Sequence, residues 1–165
     1  MRSKYFKGLA GLALGGMAFF AYQSFAVNTS VTAADMMTVS AEEAHETREG
    51  AMKAIGGHLK ALGAVAKGEM APDAGTVVHA ESLAAMSHTV KLLFAQELIS
   101  DKSRAKPEIW SDWAGFSKAA DDLSMATAAV VEAAKGGDPA AIGAALGDVG
   151  KACGGCHKPY RGPEK

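Results

Sequence analysis

Cysteine is scarce in this chain: Cys153 and Cys156 are the only two among 165 residues. A small domain held by several disulfides is therefore excluded, and so is a zinc site made of four cysteines. His79 and His88 lie nine residues apart, which is a poor match to the histidine spacing of common zinc motifs. No segment alternates apolar and polar residues over a useful length, so the pattern gives no indication of β-strands.

The two cysteines belong to one pentad, Cys153-Gly154-Gly155-Cys156-His157. The pattern C-x-x-C-H is the attachment signature of a c-type haem. On a helix, residues three and four apart lie on one face, so both thiols can reach one porphyrin edge while His157 points at the iron. We predict one covalent haem c, with two thioether bonds and His157 as an axial ligand. A redox dithiol is disfavoured because it is expected near a βαβ pattern, which is absent from this sequence.

The first 26 residues have the organisation of a secretory signal peptide. Basic residues precede an uncharged, mostly apolar run over 8–22, and Ser24-Phe25-Ala26 resembles the cleavage pattern. The run is shorter than the about 20 residues that a membrane helix needs, with an uncleaved anchor as the alternative.

We predict three segments: a signal peptide over 1–26, a flexible N-terminal segment over 27–39 and a haem domain over 40–165. Export of a c-type haem protein implies a periplasmic location, with no stable membrane span after cleavage. Residues 27–165 carry 14 basic and 18 acidic residues, a net charge of −4. A nucleic-acid partner is not expected, because it would require a basic patch.

Four stretches have apolar residues at alternating steps of three and four, the spacing of a helix that buries a narrow apolar stripe in a left-handed bundle. They cover residues 52–66, 83–93, 109–134 and 142–160. Their spacing predicts an all-α protein, an up-down-up-down antiparallel four-helix bundle with covalently bound haem.

The ends of the helices carry their own signals. Ser40 with Glu43 predicts a capping box at the start of the first helix. Pro107 fits the first position of the third helix, and Asp138 with Pro139 predicts the start of the fourth. Pro159 predicts that the last helix frays or bends beyond Lys158, because proline removes a backbone donor.

A four-helix bundle with C-x-x-C-H in its last helix resembles the class II c-type cytochromes, the cytochrome c′ family and its low-spin, six-coordinate members. Class I cytochromes carry the same pentad near the N-terminus. The similarity extends over nearly all of the chain after the signal peptide, and four motifs carry it: Arg48-x-x-x-Met52-Lys53-x-Ile55-Gly56, Ala66-Lys67-Gly68-Glu69, Lys106-Pro107-Glu108-Ile109-Trp110 and Gly147-x-Val149-Gly150-Lys151-x-Cys153.

The resemblance implies roles at matching positions. Met52 stands where the family places the residue that faces the iron from the side opposite His157. Arg48 matches an arginine that pairs with a haem propionate, and Arg161 matches a basic residue beside the proximal pocket. Glu49 departs from the neutral amide often found next to that arginine.

Met52 separates two functions. If its sulfur binds the iron, the haem is six-coordinate and low-spin, which suits an electron carrier. If Met52 only packs over the iron, the haem is five-coordinate and binds NO or CO. A methionine at helical spacing is also simply a core residue.

We expect a carrier of single electrons between Fe(II) and Fe(III), with redox partner proteins that the sequence does not identify. A gas-binding haem protein is the alternative, and an enzyme is not expected because a distal acid–base pair is missing from the first helix. The resemblance makes a homodimer through helices one and two plausible.

A surface role is expected for His45, whereas His58, His79 and His88 are interpreted as exposed or hydrogen-bonded helix residues without a partner at ligand spacing.

Overall fold

The computed structural model describes residues 39–164. Over this range the chain forms four long helices and one short one: α1 (Ala41–Ala66), α2 (Ala74–Leu93), α3 (Glu108–Ser111), α4 (Trp113–Gly136) and α5 (Pro139–Tyr160). No strand occurs in residues 39–164, where the β-type pairing is limited to one isolated bridge between Ala105 and Arg161. The predicted signal peptide and most of the predicted N-terminal segment lie outside the described residues.

The four long helices form a square in which each helix packs against two neighbours. α1 contacts α2 and α5, and α4 contacts the same two helices, whereas the diagonal pairs of long helices make no comparable contact among the described residues. Neighbours in the chain are thus neighbours in space, which is the up-down-up-down arrangement. The predicted all-α four-helix bundle is confirmed.

The predicted caps are present. The Ser40 hydroxyl accepts from the Glu43 backbone N–H at 3.2 Å, and the Glu43 carboxylate accepts from the Ser40 N–H at 2.8 Å. Asp138 accepts from the Ala140 N–H at 3.0 Å, with Pro139 at the first position of α5. α4 ends at Gly136 and is capped by Gly137, whose φ of 69° is the left-handed conformation that glycine adopts without strain.

Two apolar clusters fill the bundle. One contains Leu62, Leu83, Val130 and Val149. The other is aromatic and gathers Val90, Phe94, Ile109, Phe116, Ala120 and Tyr160 around the ends of α2 and α5. Met52 packs against both clusters, so it stands at the boundary between the main core and the aromatic end.

The third helix differs from the prediction, because the stripe over 109–134 is divided into α3 and α4. At Asp112 the backbone leaves the helical region, with φ −121° and ψ 52°. The Asp112 side chain then accepts from the Gly115 N–H at 3.2 Å and begins α4. The Asp112 carboxylate also accepts from the Tyr160 hydroxyl at 2.7 Å, which fixes the break against the last helix.

The expected fraying after Lys158 was wrong, because α5 continues through Pro159 to Tyr160. The strand-like segment 104–106 supplies the missing partners. The Lys106 side chain donates to the Pro159 carbonyl at 2.7 Å, and the Lys106 backbone N–H donates to the Tyr160 carbonyl at 3.1 Å. Beyond the helix, Gly162 N–H donates to the Arg104 carbonyl at 2.7 Å.

None of the helices in the described range is both long enough and apolar enough to cross a membrane.

Candidate functional site

A cavity of about 440 Å³ opens at the aromatic end of the bundle. Its walls come from all five helices and from the loop that precedes α3. Val90, Phe94, Ile109 and Phe116 provide apolar surface. A volume in this range is typical of sites for small molecules and cofactors.

Five of the six predicted site residues line this cavity: Arg48, Met52, Cys156, His157 and Arg161. Cys153 lies one turn before Cys156 on α5. It is half-buried and packs against the main apolar cluster. The predicted set therefore comes together at one end of the bundle, with Met52 supplied by α1 and His157 by α5.

Burial determines the protonation of the pentad. It raises the pKa of both thiols, and that of Cys156 reaches about 11, with the nearby Cys153 as a smaller cause. Burial also lowers the pKa of His157, assisted by the positive charges of Arg161 and Arg104. At neutral pH the site therefore presents two protonated thiols and a neutral imidazole, the form that binds a metal.

Arg48 is buried, with 5% of its surface exposed. Its guanidinium donates to the carbonyls of Leu93 at 2.8 Å and Gln96 at 3.0 Å and also to that of Leu98. It stacks on Phe94, with 4.6 Å from Cζ to the ring centroid. Arg48 thus holds the chain that follows α2, and two of its five N–H groups are left for another acceptor.

The cations around the cavity differ in their partners. Lys53 pairs with Glu49 at 3.0 Å, so the unusual carboxylate at position 49 is directed to a lysine. Lys102 pairs with Glu42, and Arg104 with Glu164. Within residues 39–164, Arg48 and Arg161 form no ion pair with a carboxylate. The cavity therefore has two arginines available for two anionic groups.

Sequence reasoning missed three features of this site. Arg104 lies in an irregular loop, where periodicity gives no signal. The bond between Tyr160 and Asp112 joins residues 48 positions apart. His45 was expected to have a surface role, but it is half-buried and lines the cavity. Its spacing of seven residues from Met52, two helical turns, was the signal that it shares the same face.

These residues fit a covalently attached haem. The cavity combines the Cys156 thiol, a neutral imidazole, an apolar wall for a flat macrocycle and two arginines for its two carboxylates. The second thiol, Cys153, lies one turn before Cys156 on α5. A helical bundle with this site is the arrangement of a c-type haem protein.

Comparison with known proteins gives the family. Residues 43–161 match the family described as Cytochrome C'. Cytochrome c' of Rubrivivax gelatinosus is 41% identical over 123 residues, which are 72% of this chain and 94% of that protein. Cytochrome c-556 of Agrobacterium tumefaciens is 38% identical over 119 residues, 71% of this chain and 93% of that protein.

Solved structures agree. The crystal structure of the Rubrivivax gelatinosus cytochrome c' superposes with a TM-score of 0.67 and 33% identity, covering 74% of this chain and 97% of that one. A ferrous variant of the Alcaligenes xylosoxidans cytochrome c prime with bound NO gives a TM-score of 0.69 at 29% identity, covering 78% and 100%. The chain belongs to the cytochrome c′ family, whose members carry one covalently bound haem c. The predicted family and cofactor are confirmed.

Proposed function

We propose that this protein is a periplasmic carrier of single electrons. In this proposal Cys153 and Cys156 hold the haem through thioether bonds, His157 is one axial ligand and Met52 is the other. The observation that supports it is the meeting of Met52, from α1, and His157, from α5, on the wall of one cavity.

When bound, the haem supplies the Fe(II)/Fe(III) couple, and the chain sets its properties. His157 offers a neutral nitrogen because burial and two arginines disfavour its protonation. The Met52 side chain offers a thioether, a ligand that raises the reduction potential. The apolar wall of the cavity would limit the access of water to the haem, and such surroundings favour the less charged, reduced state of the iron.

Arg48 and Arg161 are proposed to bind the two propionates. Both line the cavity, and neither has a carboxylate partner within residues 39–164. Arg48 is the more rigid of the two, since three backbone carbonyls already fix its guanidinium. Its planar fork can add a charged acceptor without reorganising.

A second candidate is a five-coordinate haem protein that binds NO or CO, with Met52 only packing over the iron. Two observations favour it. Met52 makes apolar contacts to both clusters, as a core residue would. Structures of variants of the Alcaligenes xylosoxidans cytochrome c prime have been solved with nitric oxide and with carbon monoxide.

Substrate turnover is not proposed. A haem enzyme such as a peroxidase uses a distal acid–base pair over the iron, whereas the residue of α1 that is proposed to face the iron is Met52, which has no titratable group. The electron partner is proposed to be another redox protein, and a homodimer through α1 and α2 is kept as a proposal.

The absorption spectrum of the ferric protein separates the two candidates. We expect a low-spin spectrum with a sulfur-to-iron charge-transfer band in the far red, and Met52→Ala should abolish both features. Met86→Ala is the matched control, because Met86 also packs against the main cluster but does not line the cavity. It should keep the low-spin spectrum. A high-spin ferric spectrum in the unmodified protein, with rapid CO binding after reduction, would instead establish the gas-binding function.

A further inference from the structure

Two histidines meet on the outside of the bundle, away from the haem cavity. His58 of α1 and His79 of α2 bring their Nδ1 atoms to 3.0 Å from each other, with ring centroids 5.2 Å apart. Both side chains are half-buried, and neither lines the cavity. The proposed electron carrier makes no use of this pair.

We propose that His58 and His79 form a binding site for one divalent transition-metal ion, of the class of Zn²⁺, Ni²⁺ or Cu²⁺, that bridges α1 and α2. Imidazole nitrogen is a preferred ligand for these ions. Two protein ligands leave the remaining coordination positions to water, and the half-buried position of both rings gives water access.

The distance between the nitrogens agrees with a shared ion. With metal–nitrogen bonds of about 2.0–2.1 Å, two nitrogens on one ion stand about 2.9 Å apart at a right angle and about 3.4 Å apart in a tetrahedron. The observed 3.0 Å lies between these limits. The separation of the two nitrogens therefore needs little change, and each ring turns so that its Nδ1 points at the ion instead of at the other ring.

In the absence of a metal, the Nδ1–H of one ring donates to the Nδ1 of the other. When a cation binds, the donor ring changes tautomer and carries its proton on Nε2, so that both Nδ1 lone pairs are available to the cation. Both rings stay neutral, no net proton is released, and no oxidation or reduction takes place.

One carboxylate lies near the pair. Asp73 caps the start of α2, and its pKa is lowered mainly by the Thr76 backbone N–H, with His79 as a smaller electrostatic cause.

The test is a calorimetric titration of the haem-loaded full chain with Zn²⁺ in a buffer that does not chelate metals. We expect one zinc per chain with no change in molecular mass. His58→Gln or His79→Gln should each weaken binding about tenfold or more, since even indirect partners of a metal ligand contribute that much. Zinc should raise the melting temperature of the unmodified protein but not that of the two variants.

His88→Gln is the matched control. His88 is an exposed histidine of the same helix α2 and does not line the cavity. This variant should bind zinc as the unmodified protein does. The circular dichroism and haem spectra of all three variants should be unchanged, which separates this site from the proposed function.

Three results would overturn the proposal. Zinc binding that survives in both His58→Gln and His79→Gln would place the ion elsewhere. One zinc per two chains, with a doubled mass, would place it between copies. No zinc binding by the unmodified protein would leave the pair as an interhelical hydrogen bond only.

Discussion

Among the glycines of the described residues, Gly115 is the one at which an added methyl group would come closest to other atoms. A side-chain carbon there would stand 2.3 Å from the Asp112 carboxylate oxygen and 2.6 Å from the Tyr160 hydroxyl. Glycine is thus required because the Asp112 carboxylate, from the break between α3 and α4, and the Tyr160 hydroxyl, from α5, both lie against its Cα in α4. Its backbone conformation is not the reason.

We predict that Gly115→Ala lowers the free energy of unfolding by about 1–3 kcal/mol, the usual cost of forcing extra volume into a packed site. Urea denaturation measures it. Gly150→Ala is the matched control, because a carbon at this exposed position of α5 meets no atom within 4 Å. It should stabilise the protein by up to about 1 kcal/mol through helix propensity. Equal effects at both positions would contradict the steric account.

The Tyr160 hydroxyl gives a second prediction, on alkaline stability. Donation to Asp112 raises the pKa of Tyr160 to about 12, with burial as a further cause. The unfolded tyrosine ionises near pH 10, so between pH 10 and 12 the folded state holds a proton that the unfolded state has lost. This contribution to stability is complete below pH 10 and disappears as the pH rises through about 12.

Tyr160→Phe should remove that pH dependence. The variant is expected to be less stable at pH 8 by about 1.5–3 kcal/mol, the net worth of one hydrogen bond to a charged group, and the difference from the unmodified protein should shrink above pH 10. The measurement is the free energy of unfolding at a series of pH values. A difference that stays constant up to pH 12 would show that the hydroxyl does not retain its proton.

At the scale of elements, one side chain joins the start of α1 to the end of α2. Arg48 donates to three carbonyls over residues 93–98. A lysine at this position keeps the charge but loses the planar fork that reaches several acceptors at once. The chain after α2 thus depends on a guanidinium buried in α1.

We predict that Arg48→Lys costs about 2–4 kcal/mol in the free energy of unfolding, because a buried charge is kept while the carbonyls of Leu93, Gln96 and Leu98 lose guanidinium donors. Lys53→Met is the control. Its ion pair with Glu49 is exposed, with 71% of the lysine side chain accessible, and such pairs contribute at most about 1 kcal/mol. Thermal unfolding of the two variants measures the contrast, and similar losses in both would contradict the role given to Arg48.

The elements also show what sequence reasoning can find. The caps at Ser40 and Asp138 and the four apolar stripes were predictable because their causes lie within a few residues of each other. The break at Asp112 and the continuation of α5 through Pro159 were not, because their partners are distant in sequence. Tyr160 fixes the break, and Lys106 supplies donors to the last turn.

The same distinction applies to the candidate site. The pentad Cys153–His157 and the neighbouring positions Met52 and Arg48 follow from spacing and resemblance. Arg104 follows only from the folded chain, since a loop residue without periodicity has no signature of its own. His45 did have a signal, because its spacing of seven residues from Met52 puts it on the same face of α1.

At the scale of the whole molecule, the sequence predicts a processed protein. We expect the exported protein to begin at Val27 and to carry the added mass of one covalently bound haem. Intact-mass spectrometry of periplasmic material measures both. Cys153→Ala with Cys156→Ala should lose the added mass but keep the same N-terminus. A mass that includes residues 1–26 would establish the retained anchor instead.

The square of helices also determines where the ends of the domain lie. Glu42 and Arg48, early in α1, contact the segment over 93–102, and residues 104–106 contact the last turn of α5. The first and last helices are neighbours, and α1 begins at the end of the bundle where α5 stops. A short linker is therefore sufficient to join the two ends of the bundle. In a circular permutant opened at Gly68, between α1 and α2, α5 is followed directly by α1 and every interhelical contact can be kept. The two candidate axial residues, His157 and Met52, then lie on consecutive helices of the chain.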